Sequence, residues 1–365
     1  MAKSKESITE SAGRARKARN GRAPDVTPSQ VPVEQLRAMH AALVRTRLVE
    51  QHLAEGIAQG KLVGPLHAAL GQEGAVVGSV IHTAKDDWIC PTQRELGAHL
   101  MRGLPLVDVV AQFQGAAQSP SRGRTGHTHL GSLALHTTPP LGPTADNFAV
   151  GAGIALSFRV RKQKQVALGF FGDGVMNTGT WHEAINLVAA QGLPYVMLCN
   201  NNGFAGGTAT ELDCLLPDLA TRAEAYGVPF ESVDGCDVEA VYLACQRAFE
   251  RARSGGGGTL VECKTIRAGG HTTDEVDDYA ERVRRCRRSD EDVLCRLEHR
   301  LAELGILDEN GLKAVEERVE TEWRDAVQEA VKRAPATGVD GLTDVYAAME
   351  LTGDARTGVH YRIRS

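Results

Sequence analysis

From Pro32 onward apolar positions recur at three and four residues, and Leu36, Met39 and Leu43 make one stripe of a helix. The middle of the chain changes period. Gln165-Val-Ala-Leu-Gly-Phe-Phe171 is a short apolar run ending in Gly-Asp-Gly, and Tyr195-Val-Met-Leu-Cys199 is a second, ending in three asparagines. A helical pattern from about Thr180 to Ala190 lies between them, and strand, helix, strand implies a parallel crossover. A third run, Thr259-Leu-Val-Glu-Cys263, follows a helix-like stretch from Val238 to Arg253 and a turn at Gly255 to Gly258. The alternation predicts an α/β fold with a largely parallel sheet flanked by helices. The last third predicts helices alone, in a segment at about 289–334. One stripe is Leu294, Leu297, Leu301 and Leu304, closed by Gly305; the other is Leu312, Val315, Val319, Trp323, Val327 and Val331, ended by Pro335. Both read as packing faces, against the sheet or against another subunit.

Residues 1–30 carry Lys, Arg, Ser, Gly and Glu without apolar periodicity, so a disordered basic tail is expected there and a folded domain over 31–365. Arg14, Arg16, Arg19 and Arg22 suit a mitochondrial presequence, but Glu6 and Glu10 count against one. The 365 residues hold 41 Lys+Arg against 46 Asp+Glu, a net charge of -5, which excludes nucleic-acid binding driven by overall charge. Eight cysteines show neither a C-x-x-C pair nor zinc-site spacing, and are expected to be reduced thiols. No apolar stretch approaches the roughly 18 residues that span a bilayer, and the first residues lack the apolar core of a secretory signal. No membrane partner and a cytoplasmic location are therefore expected.

In open parallel sheets ligands bind beyond the carboxyl ends of the strands, where this chain has Gly172-Asp173-Gly174 and Asn200-Asn201-Asn202-Gly203-Phe204. One carboxylate, one side-chain amide and one backbone carbonyl form a hard oxygen set suited to Mg²⁺, which completes its shell with water and phosphate oxygens. The glycines allow backbone amides close to a diphosphate, and the following helix offers its amino-terminal end to the anion. Alone, Gly-Asp-Gly in a chain with 39 glycines is also what a tight turn looks like. The spacing adds to it: Asn201-Asn202 follows Gly174 after 26 residues, 175–200.

That arrangement resembles the thiamine-diphosphate motif of transketolase-like and 2-oxo acid dehydrogenase enzymes. Gly172-Asp-Gly-Val-Met-Asn-Thr-Gly179, Glu183-Ala184, Leu193-Pro194 and Asn201-Asn-Gly-Phe-Ala-Gly-Gly-Thr208 resemble more closely one subunit type, from about Val33 to Ala334. It is the α subunit of the first component of 2-oxo acid dehydrogenase complexes, of the pyruvate and branched-chain type. His67-Ala-Ala-Leu-Gly-Gln-Glu73, Gly123-Arg-Thr-Gly-His-Thr-His129 and Gly269-Gly-His271-Thr-Thr-Asp274 match further segments of the family in the same order.

The resemblance implies a thiamine-diphosphate-binding fold. It assigns Mg to Asp173, Asn202 and the carbonyl of Phe204, and the cofactor to Gly172, Gly174, Val175, Arg94 and His271. Gln93 and Leu96 stand where the family usually has Tyr and often His, though Gln93 still has a donor for phosphate. In Pro140-Leu-Gly-Pro-Thr144, Gly142 and Thr144 fall where the family contacts the diphosphate. In the reaction the resemblance implies, the cofactor's thiazolium attacks the 2-oxo acid and takes up the electrons released with carbon dioxide. His271, His129 and His67 are then candidates to line the reaction channel and aid transfer to a lipoyl group, each with a structural histidine as the alternative. Arg267 reads equally as an anion contact or a solvated strand-end residue, and His182 as packing or solvated. No serine directly follows His271, so control by a kinase at this loop is not expected.

The activity implied is that of an oxidoreductase acting on an oxo group with a disulfide acceptor. The acid that activates the cofactor lies on the β subunit in this family, so the chain is expected to be inactive alone. Its expected partners are a β subunit, in a heterotetramer of two α and two β chains, and a lipoyl-bearing transacylase. Acetoin dehydrogenase and a non-catalytic structural paralogue remain alternatives. A nicotinamide-binding dehydrogenase does not fit, because Gly151-Ala-Gly153 lacks the third glycine of the dinucleotide turn.

Overall fold

The computed structural model describes residues 28–126, 128–275, 278–287 and 289–338, and the backbone of Met349–Thr352 and His360–Ile363. The expected tail thus lies almost wholly outside the described residues, as does His127. The chain runs α1 (Val33–Ala58), α2 (Glu73–Val80), β1 (Trp88–Cys90), α3 (Leu96–Met101), α4 (Leu106–Phe113), α5 (Thr144–Val160), β2 (Ala167–Gly172) and α6 (Gly179–Gln191). It continues through β3 (Tyr195–Asn201), β4 (Phe204–Ala205), β5 (Thr208–Ala209), α7 (Thr210–Asp213), β6 (Phe230–Asp234), α8 (Val238–Arg253) and β7 (Thr259–Lys264). Helices α9 (Tyr279–Cys286), α10 (Val293–Glu303) and α11 (Glu309–Ala330) follow, then a hairpin of β8 (Met349–Thr352) and β9 (His360–Ile363).

The central sheet has five strands in the order β1-β2-β3-β7-β6, every pair parallel. Its inner strands are apolar on both faces, as burial on both faces requires. Ala167 and Phe171 of β2, with Tyr195, Met197 and Cys199 of β3, pack under α5 and α6 around Phe148 and Trp181. Leu168, Phe170, Val196, Leu198 and Val261 point the other way, against Val76 of α2 and Val241, Ala248 and Phe249 of α8. Outside α2, the α1 stripe of Leu36, Met39 and Leu43 meets Leu294, Leu297 and Leu301 of α10 and Val319 of α11.

The three strands and five helices expected from periodicity are present, with ends moved by a few residues. Strands β1 and β6 carry no such signal, because one is three residues long and the other is half exposed along its length. Val331, the last member of the α11 stripe, lies beyond the helix and is 63% exposed, while Ala326 and Ala330 take the buried positions. All eight cysteines are thiols. Among the described residues no helix is long and apolar enough to cross a membrane.

Candidate active site

The register Gly172↔Asn200 sets the ends of β2 and β3 side by side, and beyond them opens a cleft of about 410 Å³. Asp173 begins a short 3-10 turn, Asp173–Asn177, and its side chain is 3% exposed. Its carboxylate accepts from the hydroxyl of Thr210, at the start of α7, and forms no ion pair among the described residues. Burial pushes its acidity down, raising the pKa, with Thr210 and backbone amides opposing. Asn202 donates through Nδ2 to Oε1 of the fully buried Gln72 at 2.7 Å, while its Oδ1 accepts from the Phe204 amide at 3.1 Å. Gly203, at φ +80, turns the chain between them, a conformation that suits glycine. At Gly174 a Cβ would lie 2.4 Å from that of Ala205, so only glycine lets the β4 hairpin approach here.

His67, Gln93, Arg94 and His271 also line the cleft. The half-buried Arg94 donates to the carbonyls of Ala68 at 2.9 Å and His271 at 3.1 Å. Burial lowers its pKa, with neighbouring Arg267 lowering it further against Glu95 and Glu50. Arg267 also lines the cleft, its guanidinium 5.1 Å from the centre of the Phe204 ring. Two arginines on one cleft form a seat for an anion. The rings of His67 and His271 meet edge to face at 5.1 Å. Burial, then Arg94 and Arg267, lower the His271 pKa against Glu275, so its imidazole is neutral at neutral pH.

Of the residues singled out from sequence, the cleft gathers His67, Gln93, Arg94, Gly142, Thr144, Gly172, Asp173, Gly174, Val175, Asn202, Phe204 and His271. It does not gather His129. Gln112 of α4 binds the 121–126 loop at both ends, donating to the Gly126 carbonyl and accepting from the Ser121 amide, each at 3.1 Å. His129 Nδ1 is buried behind that loop with no hydrogen bond among the described residues. His182 is exposed and hydrogen-bonds the Tyr226 hydroxyl at 2.6 Å, away from the cleft. The 3-10 turn separates Gly-Asp-Gly from α6, so the helix ends at the cleft are Thr144 of α5 and Thr178, whose hydroxyl caps α6 at the Trp181 amide. Gln93 turns its amide to the Leu141 carbonyl at 2.9 Å, fixing the loop that carries Gly142. Thr92 and Thr210 carry no signal in the sequence, because only the folded chain brings them to the site, whereas Gln72 and Thr178 lie within the His67–Glu73 and Gly172–Gly179 motifs.

Parallel strand ends, two helix amino termini and paired arginines around one cleft define an α/β protein that binds an anionic cofactor or substrate. A family model described as "Dehydrogenase E1 component" matches residues 41–339. The alpha subunit of acetoin:2,6-dichlorophenolindophenol oxidoreductase from Bacillus subtilis is 34% identical over 316 residues, covering 86% of this chain and 94% of the relative. A 3-methyl-2-oxobutanoate dehydrogenase subunit alpha from Mycobacterium tuberculosis is 32% identical over 337 residues, covering 89% and 88%. The pyruvate dehydrogenase E1 component subunit alpha of Rhizobium meliloti is 29% identical over 315 residues, covering 86% and 89%. The chain belongs to the dehydrogenase E1 component family. It is thus a subunit of an oxidoreductase, and thiamine diphosphate is the cofactor of that family.

Proposed function

We propose that this chain is the α subunit of a thiamine-diphosphate- and Mg-dependent 2-oxo acid dehydrogenase. It works with a β chain, two of each per heterotetramer, on pyruvate or a branched-chain 2-oxo acid, and passes the acyl group to a lipoyl-bearing transacylase. The observation that carries the reading is the juxtaposition of Asp173, Asn202 and Phe204, at and just beyond adjoining strand ends, in one cleft with Arg94 and Arg267. One carboxylate is few for a metal site, and no cluster of three His, Cys, Asp or Glu exists among the described residues. That scarcity suits Mg²⁺, whose remaining ligands are phosphate oxygens and water.

Asp173 and the Asn202 and Phe204 oxygens would hold the metal, and the arginines with the α5 and α6 amino termini the diphosphate. The cofactor, when bound, supplies the electron sink for loss of carbon dioxide. His67 and His271 line the same cleft, and as a neutral imidazole His271 can donate a hydrogen bond to a developing oxyanion without bringing a competing charge. Thiols in all eight cysteines support a reducing compartment, which we take to be the cytoplasm. A second reading, cleavage of acetoin at the same site, is favoured by the Bacillus subtilis relative.

The test is calorimetric titration of thiamine diphosphate with Mg²⁺ into the chain mixed with its β partner, with each chain alone as control. Binding to the mixture alone is expected. Absence of binding in a verified complex would overturn the reading in favour of a structural paralogue.

A further inference from the structure

A second hollow, of about 460 Å³, lies at the far end of α5 from the active-site cleft, which Thr144 lines at the start of that helix. Three segments converge on it: the turn from α5 to β2, the link from α6 to β3, and the end of α8 with the turn that follows. Four of the residues lining it are cationic, Arg159, Lys162, Lys164 and Arg253, and none is acidic. Arg253 is paired with the buried Asp87. The side chains of Arg159, Lys162 and Lys164 have no hydrogen-bond or ion-pair partner among the described residues. The carboxyl ends of α5, α6 and α8 also meet here and bring about half a negative charge each. Three unpaired cations exceed them, so the hollow is left with surplus positive charge.

The backbone gives a second, independent sign. Lys162 is held at φ +55, in the left-handed region. Six other helix ends in the chain put a glycine in that conformation: Gly60, Gly103, Gly115, Gly192, Gly255 and Gly305. Glycine has no Cβ to clash there, so a lysine is strained where glycine is the usual solution. Strain of this kind persists where the side chain itself has a use.

We propose that the hollow binds a small compound carrying two or more phosphate groups, with Lys162 and Lys164 as its principal contacts. The site is separate from the active-site cleft and does not depend on the function assigned to that cleft. Its volume falls in the small-molecule range of roughly 300–1,000 Å³, and charges converging on a concavity suit a compact polyanion better than an extended acidic peptide. Gln163 and Gln165 add side-chain amides that can donate to phosphate oxygens. No aromatic ring lines the hollow to stack on a base, so recognition is of the phosphates.

The test is calorimetric titration of inorganic triphosphate, adenosine triphosphate and a glutamate-rich peptide into the α/β complex, saturated beforehand with thiamine diphosphate and excess Mg²⁺ so that the active-site cleft is filled. Both phosphate compounds are expected to bind with similar affinity, weakening as salt is raised; a preference for the nucleotide would name it as the source of the phosphates. Lys164→Gln and Lys162→Gly are each expected to weaken binding by about 10-fold, as loss of a hydrogen bond to a charged group does. Affinity for thiamine diphosphate should stay unchanged in both. Lys162→Gly should also raise the urea midpoint of the complex, because glycine suits the backbone there. Stability gained together with binding lost separates a ligand contact from a residue that serves the fold. A complex that binds no triphosphate at millimolar concentration, or binds it equally well in both variants, would overturn the proposal. Binding of the peptide in preference to triphosphate would overturn it too, and would give the surface to a protein partner.

Discussion

One wall of the cleft is made of strand ends, and the other of loops tied to buried charge. Asp173 and Asn202 follow directly from β2 and β3, so the sheet register fixes them to each other. His67 and His271 have no such frame. Their segments clasp each other, with the Thr273 amide on the Leu66 carbonyl at 2.9 Å, the Thr273 hydroxyl accepting from the Leu66 amide at 3.1 Å, and the Ala268 amide on the Leu70 carbonyl at 3.1 Å. Glu50 of α1 accepts from the Ala69 amide at 2.8 Å, and Glu73 from the Gly71 amide at 2.9 Å. Glu73 is in turn paired with Arg47, which also binds Asp292 at 2.9 Å, all three being buried. Asp292 completes the frame by capping α10 at the Cys295 amide. The strand wall takes its precision from backbone pairing, and the loop wall takes its precision from a buried ionic knot.

The comparison breaks most sharply at Asp173. Asp173→Ala is expected to abolish Mg²⁺-dependent binding of thiamine diphosphate to the α/β complex while the apo complex keeps its fold, because it removes a buried carboxyl that burial already disfavours as an anion. Calorimetry on the complex reads the binding, and retained affinity would remove this residue from the metal set. On the other wall Glu73→Ala removes one of the two carboxylates paired with the buried Arg47 and leaves Asp292. Leaving a buried charge wholly unpaired costs about 3–5 kcal/mol, so a loss of up to about that size is expected. Urea unfolding of the complex measures it, and a cost near zero would show that the loops hold themselves.

A smaller effect separates the walls by pH. His99, on the helix that follows Arg94, is 2% exposed, and burial moves its pKa from 6.5 to about 4. Between those values the unfolded chain carries the proton and the folded chain does not, so stability falls as pH drops through that window and levels off below it. The full contribution is about 3 kcal/mol. The strand-wall acid works in the opposite sense, since the raised pKa of Asp173 makes the folded state the better proton binder. In His99→Gln the histidine component disappears, and urea titrations at pH 7 and pH 5 should show the variant losing less stability than the parent chain. Equal losses would show that another group dominates the slope.

The same division explains what the sequence could tell. Gly172-Asp173-Gly174 and Asn201-Asn202 are contiguous with apolar runs of strand length, so local pattern places both motifs and the register does the rest. The family likeness also pointed to His67 and His271, but nothing local shows that they face each other, because their contact is made by segments about 200 residues apart. His129 is not among the residues lining the cleft, and its loop is held by Gln112 of α4 through the Gly126 carbonyl and the Ser121 amide, contacts that its motif alone does not show. Strands β1 and β6 escaped for a different reason, since a three-residue strand and a half-exposed edge strand leave too few alternating positions to count. Gln93 and Leu96, departures from the expected motif, border a small recess that shares Gln93 with the cleft.

The finest test asks whether the strand wall needs any support beyond the sheet. Thr210 lies outside the central sheet, and its hydroxyl is the side-chain donor that orients the Asp173 carboxylate. Thr210→Val keeps the shape and removes the donor, whereas Thr210→Ser keeps the donor and removes a methyl. If the carboxylate is aimed by this hydroxyl, Mg²⁺ affinity in the presence of thiamine diphosphate should fall about 10–100-fold in the valine variant, as for other groups that orient metal ligands. The serine variant should recover most of it. A valine variant with unchanged affinity would mean that strand register alone aims Asp173, making the contrast between the two walls complete: one wall needing no side-chain support, the other consisting of little else.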